Sequence, residues 1–252
     1  MTHGYGSLCD DFYVDMYVNT ELDLPASRDT ILSFFERVQK QYPSMGNFYR
    51  GDNNEYCLEE DRSSGQYRWV SLEVDRIYSG MVNPRVLEDA YEQDRLILEI
   101  MPYMLSVNHL DIDSLDVSFT MDFEYSGSHD EVIAEALFAS TAFGCFGDVS
   151  GAKAIGFSPA VIISLSDDNR RQARISVESK TSVYEPDKRK KRNDESISLS
   201  FTIRQYPGTS GVFDARKSFD QQCQLLEELM AEKIVPNFVG PLTDVIAQKK
   251  LS

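Results

Sequence analysis

The chain has 252 residues, 42% of them hydrophobic and 11% aromatic, enough apolar material for a packed core and too much for general disorder. Its 41 acidic residues outnumber 25 Lys and Arg for a formal charge of −16, which tells against a grip on nucleic-acid phosphates as the main activity. The length allows one large domain or two small ones.

Cys9, Cys57, Cys145 and Cys223 form no C-x-x-C pair, so neither a zinc ribbon nor a thioredoxin-type motif is present, and buried thiols in a reducing cytoplasm are expected. "MTHGYGSLCDD" has neither a positive n-region nor an apolar h-region, so no secretory leader is expected. The longest uncharged stretches, "ALFASTAFGCFG" and "IGFSPAVIISLS", fall short of the roughly 18–20 residues a membrane-spanning helix needs.

In chain order, Phe12 to Asn19 alternates as a strand, with Phe12, Val14, Met16 and Val18 on one face and Tyr13, Asp15 and Tyr17 on the other. Ser27 then caps a helix whose apolar stripe is Ile31, Phe34 or Phe35, Val38 and Tyr42, closed by Pro43. "GNFYRG", "NEYCLEE" and "GQYRWVSLEVDRIYSG" read as an antiparallel meander broken at "DNN" and "DRSSG". Asn83 followed by Pro84 reads as the start of a helix limited by Pro102.

"DVSFTMDFEY", residues 116–125, alternates without a slip and restarts the order. Ser128 and Glu131 form a capping box before Val132, Leu137 and Phe143, and strands follow in "SPAVIISLS", "RQARISVES" and "SISLSFTIRQY". Ser218 with Gln221 opens a last long helix, which Pro236, Gly240 and Pro241 break or kink. The expected fold class is therefore α+β: two pseudo-repeated lobes of strand-helix-(three or four antiparallel strands)-helix, residues 1–106 and 107–252, packed as one body with helices covering one face of the sheet.

This order resembles the saddle of the TATA-box-binding protein, which is built from two such lobes, although that protein's basic, intercalating surface has no counterpart here. The course through residues 12–102, strand, helix, Tyr-Pro, meander, Asn-Pro, helix, also resembles a sporadically distributed family of uncharacterised bacterial proteins of similar length. Neither resemblance implies a catalytic motif.

Among chemistry-bearing residues, "NHLDID" places His109, Asp111 and Asp113 on one face if the segment is extended, a ligand set for a divalent metal; the competing reading is a solvated polar loop. A calcium loop in "DIDSLDVSFTMD" fails because Asp116 stands where glycine is needed. Cys145, with His109 or His129 as base, lacks any local signature of a thiol enzyme, and "GDVSGAK" lacks the Gly-Lys-Ser/Thr of a phosphate loop. Lys188, Arg189, Lys190, Lys191 and Arg192 form the one concentrated basic run, a solvated loop or a contact for a phosphate backbone or an acidic partner. Between Arg95 and Lys153 there is no lysine or arginine, which suits a basic partner or a merely solubilising surface. Tyr13, Tyr17, Tyr67 and Trp69 are expected to pack beneath helices in preference to flooring a ligand cleft.

Together these features predict a non-enzymatic cytoplasmic binding or scaffold protein that self-associates or holds a protein partner. No cofactor and no membrane contact are expected, and nucleic acid is disfavoured. The alternatives are a metal-assisted hydrolase or small-ligand enzyme using His109, Asp111 and Asp113, and nucleic-acid contact through residues 188–192.

Overall fold

A computed structural model of the chain describes residues 4–52, 54–179, 196–208 and 211–251, with Asp148 described by its backbone alone. Among these residues are nine strands and five α-helices. The first half contains β1 (Asp11–Thr20), α1 (Arg28–Gln41), β2 (Asn47–Arg50), β3 (Tyr56–Glu59), β4 (Tyr67–Leu72), β5 (Arg76–Val82) and α2 (Leu87–Met104). The second contains β6 (Ile112–Glu124), α3 (His129–Ile133), β7 (Ala160–Ser164), β8 (Arg171–Ser179), β9 (Ser196–Gln205), α4 (Ala215–Leu229) and α5 (Gly240–Leu251).

All nine strands join one sheet in the order β2-β3-β4-β5-β1-β6-β9-β8-β7, antiparallel at every pairing. The opening strands of the halves, β1 and β6, meet at its centre, with Val14 opposite Phe119 and Met16 opposite Val117. On either side the last strand of a half lies beside the first, and the rest follow outward in reverse order. The mixed α+β class follows directly from this sheet and the helices laid on it.

Period-two alternation decides which face those helices cover. Phe12, Val14, Met16 and Val18 of β1 are buried, as are Val117, Phe119, Met121 and Phe123 of β6 and Ile197, Leu199, Phe201 and Ile203 of β9. They share a single core with Phe34 and Val38 of α1, Ile97 and Met101 of α2, and Phe219 and Leu226 of α4. Each such side chain contributes about 1.5–3 kcal/mol by leaving water. Two buried glutamines clamp the helices down. Gln93 donates from Nε2 to the Trp69 and Gly80 carbonyls, and Gln222 to the Leu115 and Ile203 carbonyls, both at 2.8 Å.

Ser27 caps α1 as expected, accepting from the Thr30 amide at 3.2 Å. Other helix boundaries differ from expectation. Asn83 does not open α2, which starts at Leu87. At φ +50° its carboxamide accepts from the Phe12 amide and donates to Asp11 Oδ1 and the Gly65 carbonyl, binding the end of β5 to β1 and to the turn before β4. Pro102 lies within α2 on its exposed side, where a single lost backbone bond is tolerated near the end. Asp214, accepting from the Lys217 amide at 2.9 Å, starts α4 a turn before Ser218, whose hydroxyl is buried against Gln222. Beyond α4, residues Met230–Val239 widen into π-helical turns that take in Pro236 and run on directly into α5, so of the expected break or kink no break occurs at Pro236, Gly240 or Pro241.

In the second half Ser128 does cap α3, accepting from the Glu131 amide, but the α-helix ends at Ile133 and passes through a π-helical turn into a 3-10 segment at Ala142–Asp148. Phe143, expected on its apolar stripe, is 56% exposed. Apart from its two alanines "ASTAFGCFG" consists of weak helix formers and glycines, and Val132 and Ile133 are fully buried while Ala136, Leu137 and Phe138 pack on the core only in part. Among the described residues, no helix is long and apolar enough to cross a membrane.

Candidate binding face

The same alternation that sends Val14 and Met16 into the core sends Tyr13, Asp15, Tyr17 and Asn19 to the opposite face. The register aligns these with neighbours on both sides. Asp15 lies between Gly80 and Ser118, and Tyr17 between Tyr78 and Asp116. Trp69 is opposite Gly80, and Arg204 is opposite Asp116. A small second cluster, Cys57, Trp69 and Val82 with Tyr13, Tyr67 and Tyr78, packs on this side and contains no helical residue.

The expectation that these aromatics pack beneath helices is thus corrected: β1, β4 and β5 turn them away from the helical layer. The rings form a row across three strands. Tyr67 and Trp69 lie 5.7 Å apart, Trp69 meets Tyr78 edge-on at 5.5 Å, and Tyr78 stacks on Tyr17 at 4.4 Å. Gly80 makes the row possible, because a Cβ there would run into both the Trp69 ring and the Asp15 carboxylate.

Asp15 is 4% exposed and accepts from the Tyr78 hydroxyl at 3.1 Å. Burial lifts its pKa to about 7, with a smaller push from Asp122, while the Tyr78 hydrogen bond opposes the rise. Burial first, then the Asp15 charge, drives Tyr78 upward, so its phenol stays protonated and available as that donor.

Outward from Trp69 the face hollows into a cleft of about 490 Å³ over β3, β4 and the β4–β5 turn. Its rim carries four carboxylates, Glu55, Glu59, Glu73 and Asp75, and one guanidinium, Arg62. Glu59 is nearly buried and takes Arg62 Nη2 at 2.6 Å, and the Tyr49 hydroxyl donates to it at 3.2 Å. Burial pushes the neighbouring Cys57 thiol up, so it is not an activated nucleophile.

Toward β7 the character changes. A second hollow of about 290 Å³ is lined by Arg76, Arg174 and Arg204 with Tyr17, Asp116 and Thr202. Arg204 forks onto Asp116 at 2.8 and 2.6 Å, and Arg76 donates to Asn19 at 2.8 Å while its guanidinium sits 5.6 Å from the Tyr17 ring centre. Among the described residues no helix packs on this face, one half of which is aromatic and acidic and the other rich in guanidinium.

The residues singled out for metal binding are not gathered. His109 is exposed in a turn, β6 begins only at Ile112, and Asp111 accepts from the Leu22 amide at 3.1 Å while Asp113 accepts from its neighbour Ser114. The extended geometry that would align His109, Asp111 and Asp113 is absent, and among the described residues no group of three His, Cys, Asp or Glu is placed to hold a metal ion. Lys188, Arg189, Lys190, Lys191 and Arg192 lie outside the described residues. Cys145 is exposed in the 3-10 segment, and both ring nitrogens of His129 are engaged, with the Ser179 hydroxyl and the Tyr125 carbonyl. Sequence reasoning missed Asp15, Glu59, Tyr78 and Arg204 as parts of one face. The period-two signal was present in each strand, but only the strand order brings those strands together.

No family model matches the chain, and no curated protein matches it. Among solved structures the chain is similar to one from a crystal structure of A. aeolicus tRNASec in complex with M. kandleri SerRS, at 9% identity and a TM-score of 0.32. The match covers 95% of this chain and 31% of that one, and a likeness of that size carries no argument about fold or function.

Proposed function

We propose that the protein is a non-enzymatic binding protein of the cytoplasm that holds a protein partner on the helix-free face of its sheet. The observation that carries this reading is the row Tyr67, Trp69, Tyr78 and Tyr17, set on a face against which no described helix packs. Clustered Tyr, Trp and Arg are the side chains on which protein interfaces concentrate their energy. Four free cysteines accord with a reducing compartment. In the same reading the halves are related strand-helix-strands-helix lobes joined through β1 and β6, a relation that superposition of residues 11–104 on 112–229 would test.

Site-specific photo-crosslinking in the native host tests the binding surface. A photoreactive phenylalanine at position 67, on the sheet face, is expected to give a discrete protein adduct that the same group at position 224, on the exposed side of α4, does not. An adduct of twice the chain's own mass would identify the partner as a second copy. Equal yields from the two positions, or none from position 67, would remove the face as the binding surface.

A further inference from the structure

The chemistry of the cleft over Trp69 identifies what it would accept. Its walls are the rings of Trp69, Tyr13, Tyr67 and Tyr78, with Trp69 centroids 5.5–6.5 Å from the other three. Aromatic faces carry negative potential and attract cations within about 6 Å, most strongly where water is displaced, and Trp is the best of them. The rim adds four carboxylates to one guanidinium. An anion would be repelled by the carboxylates and would have to compete with Glu59 for Arg62, and a neutral apolar group would strip water from the carboxylates without replacing it.

The chain supplies an example of the preferred occupant. The Arg62 guanidinium sits 5.4 Å from the Tyr67 ring centre and pairs with Glu59 through Nε and Nη2, although its side chain remains 60% exposed at the rim. A cation over an aromatic ring and against a buried carboxylate is thus already the local arrangement, and at the far end of the cleft Glu73 likewise holds a guanidinium, that of Arg76 at 3.6 Å. At about 490 Å³ the cleft falls in the size range of ligand pockets, roughly 300–1,000 Å³.

We infer that this cleft receives a lysine or arginine side chain from a basic segment of the protein partner, with Arg62 competing for the same aromatic and acidic groups. The inference rests on the reading of the helix-free face as a partner surface and specifies the chemistry of its acidic half.

Trp69 is the sole tryptophan of the chain, so its fluorescence reports on the cleft without a label. The full-length protein is titrated at constant ionic strength with a Lys-Gly repeat peptide, an Arg-Gly repeat peptide and a Glu-Gly control. Saturable change with at least one basic peptide and none with the control is expected. Asp75→Asn, an exposed rim substitution, should weaken that binding roughly fivefold, and Arg62→Ala should tighten it several-fold by removing the internal competitor. Thermal unfolding of each variant establishes that it is folded before titration. No saturable response, the same response to acidic and basic peptides, or basic-peptide binding indifferent to both substitutions overturns the inference. A position-67 adduct in cells together with any of those results would sink the cationic ligand and leave the binding face standing; loss of both would remove the two together.

Discussion

Asp15 sits at the middle of the central strand, where the sheet face is wide enough to take it out of water and where Gly80 leaves room for its carboxyl beside the Trp69 ring. An aspartate that ordinarily ionises near 3.8 is held to about 7. Because the folded value is raised, the fold favours the neutral acid. The associated stability is present in full below the ordinary value and is lost as pH rises from about 4 to about 7. Asp94 on α2, wholly buried behind the sheet, is raised for the same first reason and adds a contribution of the same sign. Asp15→Asn should therefore gain on the wild type as pH rises across that interval, by a few kcal/mol in all, and hold the advantage above it. Urea unfolding of both proteins followed through Trp69 fluorescence measures the difference. Parallel pH profiles would show that the carboxyl is solvated and the sheet face is open at Asp15.

At the scale of elements, side-chain oxygens settle where helices begin, and several residue types compete for that task. The capping pair expected from the sequence, Ser218 with Gln221, lies inside α4, and Asp214 caps the helix a turn earlier. Starting at Ala215 brings Phe219, Cys223 and Leu226 onto the core face and places Gln222 under the sheet carbonyls of Leu115 and Ile203. Asp214→Ala should cost about 1 kcal/mol of unfolding free energy. Gln221→Ala, on the exposed side of the helix, should stay within about 0.5 kcal/mol. Chemical denaturation of the two variants decides the matter, and the reverse ranking would move the helix start to Ser218.

At the scale of the molecule, the β1–β6 pairing makes the halves dependent on each other. Separating residues 1–106 from 107–252 would open both strands as new edges and divide a core in which the Phe12 and Phe119 rings meet edge-on at 5.1 Å. Expressed apart, neither piece should show cooperative unfolding, and mixing the two should restore near-UV circular dichroism. Cooperative melting of either piece alone would mean that it carries a sufficient core of its own.

The sequence by itself determined the strands with the cleanest alternation and the two-sided character of β1 and β6, because period two is written into the order of residues and needs no neighbour to be read. It also determined α1, where Ser27 and the stripe Ile31, Phe34 and Val38 agree. Tertiary structure alone decided that Asn83 serves as a tie between β1 and β5, that the helical course passes through Pro236, and that Tyr67, Trp69, Tyr78, Asp15 and Arg204 share a face away from the helices. Each of those outcomes depends on which strand lies beside which. That adjacency is fixed by burying the apolar faces of β1, β6 and β9 under the helices, a contest among segments distant in the chain that no local pattern records.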